Sequence, residues 1–379
     1  MMKILQINKL YFPWIGGVEK IVQDIAEGLK DRVDMKVLVC RDRGKKEIDR
    51  VNNIEVTRAS SFGIFYSMPI SFDFPILLNR LSRDRDILHF HMPFPLADLS
   101  YYFNLRKKKK VIIWWHSDIV KQKKALLIYK PFLLSFLKKA EKIMVATPRH
   151  VESSIFLKNL EYKCEVIPFG INQDKFLMTS VIHNKVVKIH NIYGKNIVLF
   201  IGRLIYYKGV EYLIEAMKNV DANLIIIGDG PLKDNLSLQT KRIGVDKKIF
   251  FLGGLDDSDV VAYYHACKVF VLPSVENTEA FGIVQMEAMA CGKPVINTDL
   301  PTGVPYVSLN GKTGVTVPVK NADALSKAIR NIIFNDDLRE KFGANALQRI
   351  EKEFTMDRMM NRIYKVYENV YNQTTKHEI

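Results

Sequence analysis

The chain alternates between short apolar runs and longer segments whose apolar residues have helical spacing. In the first half, runs rich in β-branched residues occupy positions 36–40, 86–90, 111–115 and 142–146. Near-continuous apolar runs of this kind are typical of parallel strands covered by helices on both faces. The pattern therefore predicts an open α/β sheet in this half of the chain.

A second set of strand-like runs begins after an interruption. Residues 172–195 are polar and lack a clear period, so we predict a linker there. Strand-like runs separated by helical segments then resume at 197–201, 223–227, 249–252, 269–272 and 294–297. This restart predicts a second Rossmann-like unit in an α/β protein.

The last part of the chain has a helical period. Apolar and aromatic residues recur with polar residues between them at Met360, Ile363, Tyr364, Tyr367, Val370 and Tyr371. This spacing predicts a closing helix. We therefore divide the chain into an N-terminal domain at 1–175, a C-terminal domain at 176–355 and the closing helix at 356–379.

Length and composition agree with two domains. The chain has 379 residues, more than a single core usually supports, and no stretch approaches the roughly 20 apolar residues of a membrane span. Its first residues alternate like a strand and lack the apolar core of a secretory signal, which predicts a cytoplasmic protein. The four cysteines have neither metal-ligand nor redox spacing, so we expect them to be reduced and mostly buried.

The formal net charge is +15, which indicates an anionic partner. Nucleic acid, an acidic lipid surface and phosphorylated substrates all satisfy this condition, and a basic surface that serves solubility is the alternative. The sign of the charge does not choose among them.

Two glycine-containing loops follow predicted strands. Gly16 and Gly17 precede an apolar-periodic helix, where small residues let the backbone approach an anion at the helix N-terminus; a tight turn is the alternative. The later loop contains Gly202, Arg203 and Lys208, whose two cations can converge on a diphosphate. A solvated basic loop is the alternative there.

Two glutamates lie in the segment that follows the strand at 269–272. Glu279 precedes a predicted helix, and Glu287 lies about one and a half turns inside it. Small and apolar neighbours of Glu287 leave little room for a polar face, so its carboxylate needs partners such as hydroxyl groups.

Taken together, these stretches resemble the family 4 glycosyltransferases of the GT-B fold over essentially the whole chain. The resemblance implies two Rossmann-like domains facing a cleft, with the closing helix packed back toward the first. It implies that Arg203 and Lys208 hold the donor diphosphate, that Glu279 faces the transferred sugar and that Glu287 binds the ribose. The other donor-binding positions it implies are Gly16, Gly17, Gly202, Gly228, Leu252, Ala280, Phe281, Gly282 and Ile283.

Histidines follow two strands of the first domain. By resemblance, His116 faces the reacting carbon, and we assign it a catalytic role with Glu279, Arg203 and Lys208. On the acceptor side the candidates are His89, His91, Ser117 and Asp118. The two imidazoles of His89 and His91 are compatible with a metal, but no third ligand is visible nearby, so we expect none. We interpret the Asp-x-Asp spacing at 257–259 as a helix cap.

The resemblance implies a retaining hexosyltransferase that needs no metal or other cofactor. Its donor is a nucleotide diphosphate sugar, with GDP-linked mannose or rhamnose favoured, and its acceptor is a glycan or a lipid-linked glycan of polysaccharide synthesis. A UDP-sugar-dependent transferase is the alternative; a nucleotide-sugar epimerase and a non-catalytic binding module are more remote. Basic residues at 106–110 and 121–142 flank apolar ones, which favours peripheral contact with the inner face of an anionic membrane and no nucleic acid. Core packing of the same apolar residues, with the lysines merely solvated, is the alternative.

Overall fold

A computed structural model describes residues 1–14, 16–65, 68–102, 109–119 and 123–373, without the side chains of 123–125. The chain forms two compact units, one made of Met1–Pro168 with Asp357–Ile379 and the other of Phe169–Met356. The first boundary thus falls before residue 175, where we placed it from the sequence.

The first unit contains a mostly parallel sheet. Its strands are β1 (Lys3–Ile7), β2 (Asp34–Cys40), β3 (Glu47–Val51), β4 (Ile54–Ala59), β5 (Ile64–Phe65), β6 (Met68–Pro69), β7 (Ile87–Met92), β8 (Lys110–Trp115), β9 (Lys142–Val145) and β10 (Cys164–Val166). The sheet order is β10-β9-β8-β7-β1-β2-β4-β3, with only β3 antiparallel to its neighbour, and β5 and β6 form a separate hairpin. All four strand-like runs predicted in this half lie in this sheet.

Helices cover the sheet of the first unit. They are α1 (Gly17–Gly28), α2 (Phe74–Leu81), α3 (Pro95–Tyr102), α4 (Lys123–Lys139) and α5 (Pro148–Ser153). Helix α4 buries Leu133, Phe136 and Leu137 in the core with the apolar side chains of β7 to β9.

The second unit repeats the pattern with a fully parallel sheet. Its elements are α6 (Ser180–Tyr193), β11 (Ile197–Ile201), α7 (Val210–Ala216), β12 (Asn223–Ile227), α8 (Lys233–Arg242), β13 (Ile249–Gly253), α9 (Asp257–Ala266), β14 (Val269–Leu272), α10 (Ile283–Ala290), β15 (Val295–Thr298), α11 (Val304–Val307), β16 (Gly314–Val317), α12 (Ala322–Phe334) and α13 (Asp336–Glu353). The order β13-β12-β11-β14-β15-β16 is that of a doubly wound nucleotide-binding sheet, whose topological switch point lies between β11 and β14.

The predicted linker at 172–195 is wrong over most of its length, because α6 occupies Ser180–Tyr193. The Thr179 side chain caps this helix by accepting a hydrogen bond from the Ile182 amide, and Gly194 ends it with a positive φ. Only Ile182, Val186 and Ile189 of the helix are buried, so its apolar face is too narrow to dominate the sequence pattern.

The Asp-x-Asp segment also differs from its predicted role. Asp256 occupies the N-cap of α9, while Asp257 and Asp259 lie in the first helical turn. There the positive end of the helix dipole stabilises the two carboxylates. Asp259 also accepts a hydrogen bond from the Lys185 ammonium at 2.6 Å.

The closing helix α14 (Met356–Asn372) belongs, from Asp357 onward, to the first unit. The Arg32 guanidinium of that unit lies 3.7 Å from the centre of the Tyr364 ring and donates to Asn361 at 2.6 Å. At the other end of the helix, the Lys110 ammonium donates to the carbonyls of Val370 and Tyr371 at 2.8 Å, which supplies partners for the last helical turn.

Candidate active site

Two buried charged residues of the second unit meet at its topological switch point. Lys208 follows β11 and Glu279 follows β14, and the Lys208 ammonium lies 2.5 Å from Glu279 Oε2. Both residues are less than 10% exposed. The Ser274 hydroxyl donates to the same carboxylate oxygen at 3.0 Å. The sequence predicted a role for each of the two charged residues but not their ion pair.

Close contact between two loops creates this ion pair. The Val275 amide donates to the Tyr207 carbonyl at 2.8 Å. Gly209 adopts a left-handed conformation with φ of 64°, and a Cβ atom there would lie 2.2 Å from the Pro273 carbonyl oxygen. Glycine is therefore required at this position, since any larger residue would push the two loops apart.

Arg203 lies on the same loop as Lys208, but its side chain is exposed. The Leu204 amide, next to Arg203, donates to the Asp229 carbonyl at 2.9 Å and ties this loop to the end of β12. The site thus combines a buried cation with an exposed one. The surroundings of the two cations differ, since the Lys208 ammonium is already engaged by the Glu279 carboxylate.

Gly282 and α10 follow Glu279. Gly282 is the N-cap of α10 with φ of 72°. The first amides of a helix have no partner inside it, so those around Phe281 and Ile283 favour an anion. The Gly303 amide donates to the Ala280 carbonyl at 2.7 Å, which fixes the start of this segment.

Glu287 lies one and a half turns further along α10 and is partly buried. It accepts a hydrogen bond from the Tyr264 hydroxyl at 2.7 Å. Burial raises the pKa of the Glu287 carboxyl, and the bond from Tyr264 partly offsets this effect. The sequence predicted a hydroxyl partner for Glu287 and could not name Tyr264.

The remaining predicted donor positions lie at the ends of neighbouring strands. The Gly202 amide donates to the Ile227 carbonyl at 3.0 Å, and the Gly228 amide donates to the Gly253 carbonyl at 2.8 Å. Leu252 belongs to the same edge strand as Gly253 and is partly buried. The carboxyl ends of β11, β12 and β13 therefore form one continuous edge beside the loop of Lys208.

The first unit has its own cluster at the corresponding edge of its sheet. Gly16 is the N-cap of α1, and Gly17, which we predicted just before the helix, is its first residue. Helix α1 also carries Glu19 in its first turn, close to Lys9. Burial lowers the pKa of Lys9 and raises that of Glu19, while attraction between them opposes both shifts. Sequence analysis did not single out this pair, whose members are ten positions apart.

His116 follows β8 and is half-buried, with its Nε2 2.9 Å from His91 Nδ1. His91 Nε2 in turn lies 2.8 Å from Gln6 Oε1. Burial lowers the pKa of His116 to about 3 and that of His91 well below its usual value, so both imidazoles are neutral at pH 7.

The predicted acceptor-side role of His89 and His91 disagrees with the structure. His89 is 0% exposed and His91 1%, since both lie on β7 inside the unit. His89 Nδ1 is 2.7 Å from the hydroxyl of Tyr367 on α14. The sequence pattern placed both histidines at a strand end, but α14, distant in sequence, covers His89.

Asp118 and Ser117 have different surroundings. Asp118 Oδ1 accepts hydrogen bonds from Trp115 Nε1 at 2.9 Å and from the Ser154 hydroxyl at 2.6 Å. The Asp118 carboxylate therefore fixes the turn after β8, and its predicted acceptor-side role stays a prediction. Ser117 is exposed and stays a candidate.

Within the part of the chain that the structure describes, no group of three His, Cys, Asp or Glu side chains is arranged to hold a metal ion. The same described residues include no helix with the length and apolarity to span a membrane. The four cysteines are free thiols, three buried and Cys164 partly buried.

Comparisons with known proteins agree with this geometry. A model described as Glycosyltransferase Family 4 matches residues 15–175, and one described as Glycosyl transferases group 1 matches residues 183–349. The chain is 28% identical to O-antigen chain mannosyltransferase C of Escherichia coli over 97% of this chain and 98% of that protein. It is also 28% identical to D-rhamnosyltransferase WbpZ of Pseudomonas aeruginosa, covering 93% and 92% of the two chains.

Among solved structures, Anabaena HepE in complex with UDP shares the fold, with a TM-score of 0.80 and 19% identity over 97% of this chain and all of that one. The two sheets, their strand order and these matches define a glycosyltransferase with the GT-B fold. Within that class, the chain carries a glycosyltransferase family 4 domain in its first half and a glycosyl transferases group 1 domain in its second.

Proposed function

We propose that the protein is a retaining hexosyltransferase that uses a nucleotide diphosphate sugar. The observation that carries this proposal is the Lys208–Glu279 ion pair at the switch point, beside the exposed Arg203. Lys208 and Arg203 neutralise the diphosphate as it leaves, which is the main protein contribution that this chemistry needs. The amides at the start of α10 bind the phosphates, and the Glu287 carboxylate binds the ribose.

Retention follows if the acceptor hydroxyl attacks from the face that the diphosphate leaves. A phosphate oxygen then accepts the hydroxyl proton, and the protein supplies positioning and charge stabilisation. Glu279 is suited to binding sugar hydroxyls and poorly suited to be a nucleophile, because Lys208 and Ser274 already engage its carboxylate. The test is the anomeric configuration of the product by NMR; inversion relative to the donor would refute this mechanism.

For the donor we propose a GDP-linked sugar carrying mannose or rhamnose. The names of the two relatives, a mannosyltransferase and a D-rhamnosyltransferase, support the sugar. A UDP-sugar is the second candidate, because HepE was solved with UDP. A thermal-shift comparison of GDP-, UDP- and ADP-sugars separates the two, and stabilisation by UDP alone would exclude GDP. Slow donor hydrolysis distinguishes transfer chemistry from epimerisation and from mere binding.

We also propose that transfer needs no metal ion. Lys208 and Arg203 supply the positive charge that a cation supplies in metal-dependent transferases. Turnover is therefore expected to be unchanged by EDTA, and a requirement for Mg²⁺ or Mn²⁺ would contradict the proposal.

For the acceptor we propose a glycan or lipid-linked glycan presented at the inner face of an anionic membrane. Helix α4 supports this proposal, since it exposes Leu127 and Ile128, each 78% exposed, beside Lys130. Of the other predicted basic residues, 106–108 and 121 lie outside the described residues, as do the side chains of Lys123 and Lys124. Lys110 instead binds carbonyls of α14.

A second exposed apolar surface adds to this support. The β5–β6 hairpin region exposes Phe62 and Phe72, whose ring centres are 5.5 Å apart. Backbone hydrogen bonds of 2.8 and 2.9 Å join Ser61 to Gly44, in a loop that carries the exposed Arg43 and Lys45. Aromatic side chains beside cations are suited to an anionic lipid interface.

The membrane proposal is tested with vesicles that contain or lack anionic phosphatidylglycerol. The double variant Leu127→Ser with Ile128→Ser is expected to bind the anionic vesicles more weakly than wild type. Leu238→Ser is the control, because Leu238 is 64% exposed on α8 of the other unit. Equal binding by wild type to both kinds of vesicle would contradict the electrostatic part of the proposal.

A further inference from the structure

Three polar side chains form a hydrogen-bonded chain on one face of the first unit's sheet. Gln6 lies on β1, His91 on β7 and His116 just after β8, and these three strands are neighbours in the sheet. Gln6 Oε1 is 2.8 Å from His91 Nε2, and His91 Nδ1 is 2.9 Å from His116 Nε2. Gln6 and His91 are essentially inaccessible to solvent, whereas His116 is half-buried.

The orientation of the Gln6 amide determines which ring nitrogens of His91 and His116 carry hydrogen. Its Nε2 points toward the Val22 carbonyl at 3.4 Å, so its oxygen faces His91. A carbonyl oxygen only accepts, and His91 Nε2 must therefore carry the hydrogen. Because buried His91 is neutral, its Nδ1 has a lone pair and accepts from His116 Nε2.

We propose that Gln6 and His91 are positioning residues that hold His116 as its Nε2–H tautomer. In this tautomer His116 Nδ1 has the lone pair, and it accepts a hydrogen bond from a hydroxyl group of the bound sugar or acceptor. This inference rests on the proposed transfer function.

Ring packing supports the same role. The His116 ring is within 4° of parallel to that of Trp114 and within 15° of parallel to that of His91, with centres 5.7 and 5.2 Å away. Trp114 and His91 are themselves paired in register across β7 and β8. The stack fixes the plane of the His116 ring, and the hydrogen bond to His91 fixes which nitrogen carries hydrogen.

The tautomer is measured directly by NMR on the full-length protein labelled with ¹⁵N-histidine. Among the signals of the eight histidines, those of His116 are identified by their loss in His116→Gln. Wild type is expected to show Nε2–H for His116. Gln6→Leu is expected to give a mixture of tautomers, since it removes the acceptor that fixes His91. A wild-type His116 in the Nδ1–H form would overturn the inference, whether or not the protein transfers sugar.

Kinetics then test whether positioning matters for transfer. His91→Leu is expected to lower kcat about tenfold, the equivalent of one lost hydrogen bond. Nucleotide Kd is expected to be unchanged, because Arg203, Lys208 and Glu287, which we assign to the nucleotide, belong to the other unit. His91→Asn keeps an acceptor oxygen near the position of Nδ1 and is expected to restore most of kcat. Gln6→Leu provides the same test if His91→Leu does not fold.

The outcomes separate the inference from the proposed function. A mixed tautomer in Gln6→Leu together with wild-type kcat would overturn the positioning role while transfer stands. Failure of wild type to transfer sugar from any nucleotide donor would overturn the proposed function, and the tautomer of His116 would still report on Gln6 and His91.

Discussion

The ammonium of Lys208 lies 2.5 Å from Oε2 of Glu279, in a position where each side chain is about one-tenth exposed. The pair joins the loops that follow β11 and β14. A diphosphate placed at the start of α10 would share Lys208 with Glu279, so the carboxylate limits how strongly the lysine binds product. The same contact therefore bears on stability, donor binding and turnover.

Replacing Lys208 with methionine is expected to slow transfer strongly. The barrier should rise by about 2 to 4 kcal/mol, the range for one lost electrostatic donor, which is roughly 30- to 10³-fold in kcat. Lys233→Met is the matched control, because Lys233 pairs with Asp229 at the surface of the same unit. Near wild-type turnover in Lys208→Met would contradict the assignment.

The ion pair also predicts non-additive effects on stability. Lys208→Met alone leaves the buried Glu279 carboxylate without its counter-ion, at a cost of about 3 kcal/mol in the free energy of unfolding. Adding Glu279→Gln removes that charge and is expected to recover much of the loss. Denaturant unfolding of wild type, both single variants and the double variant measures the coupling, and simple additivity would rule it out.

Gly209→Ala tests the close approach of the two loops. Both Gly209 and Gly244, which ends α8, have positive φ, but an added Cβ at Gly244 meets nothing within 4 Å, whereas at Gly209 it meets the Pro273 oxygen at 2.2 Å. Gly244→Ala is expected to cost about 1 kcal/mol of stability, the strain of the left-handed conformation alone. Gly209→Ala should cost clearly more and should also reduce turnover. Equal costs would show that the loops adjust freely.

The buried histidines of the first unit predict acid sensitivity. Burial lowers the pKa of His89 to about 3, against 6.5 in an unfolded chain. Between these values the unfolded state binds the extra proton, so stability is lost as pH falls below 6.5, by up to about 1.4 kcal/mol per pH unit for each such histidine. Asp98 acts in the opposite sense, because burial raises its pKa to about 7.

Comparison of His89→Phe with wild type isolates one of these titrations. The variant has lost the bond to Tyr367, but its stability should fall less steeply than that of wild type between pH 6.5 and 4. Chemical denaturation at a series of pH values gives both slopes. Parallel curves would mean that His89 is protonated equally in the folded and unfolded states.

The fold was largely predictable because its strands are continuous apolar runs, a signal that is local in sequence. Helix α6 was missed because only one narrow face of it is buried. The rest of its residues are polar enough that the segment resembles a linker. The family motifs indicated Lys208 and Glu279 individually. Their contact depends on loop conformations fixed by Gly209 and Pro273, which no periodicity encodes.

The surroundings of His89 and His91 could not be predicted from the sequence for a different reason. His89 and His91 alternate with apolar residues at a strand end, a pattern that suits an exposed site equally well. Their burial comes from Tyr367, 278 positions away, and from Gln6 on a neighbouring strand. Long-range partners of this kind can be read only from the folded chain.

The placement of α14 has a consequence for biosynthesis. The ribosome completes residues 1–168 early, but the helix whose Tyr367 contacts His89 and whose carbonyls accept from Lys110 is made only after the second unit. The first unit of the growing chain therefore lacks this helix against its sheet while the second unit is translated. A premature stop codon just after residue 356 would spare the second unit and damage the first, although the lesion lies beyond the second unit in the sequence.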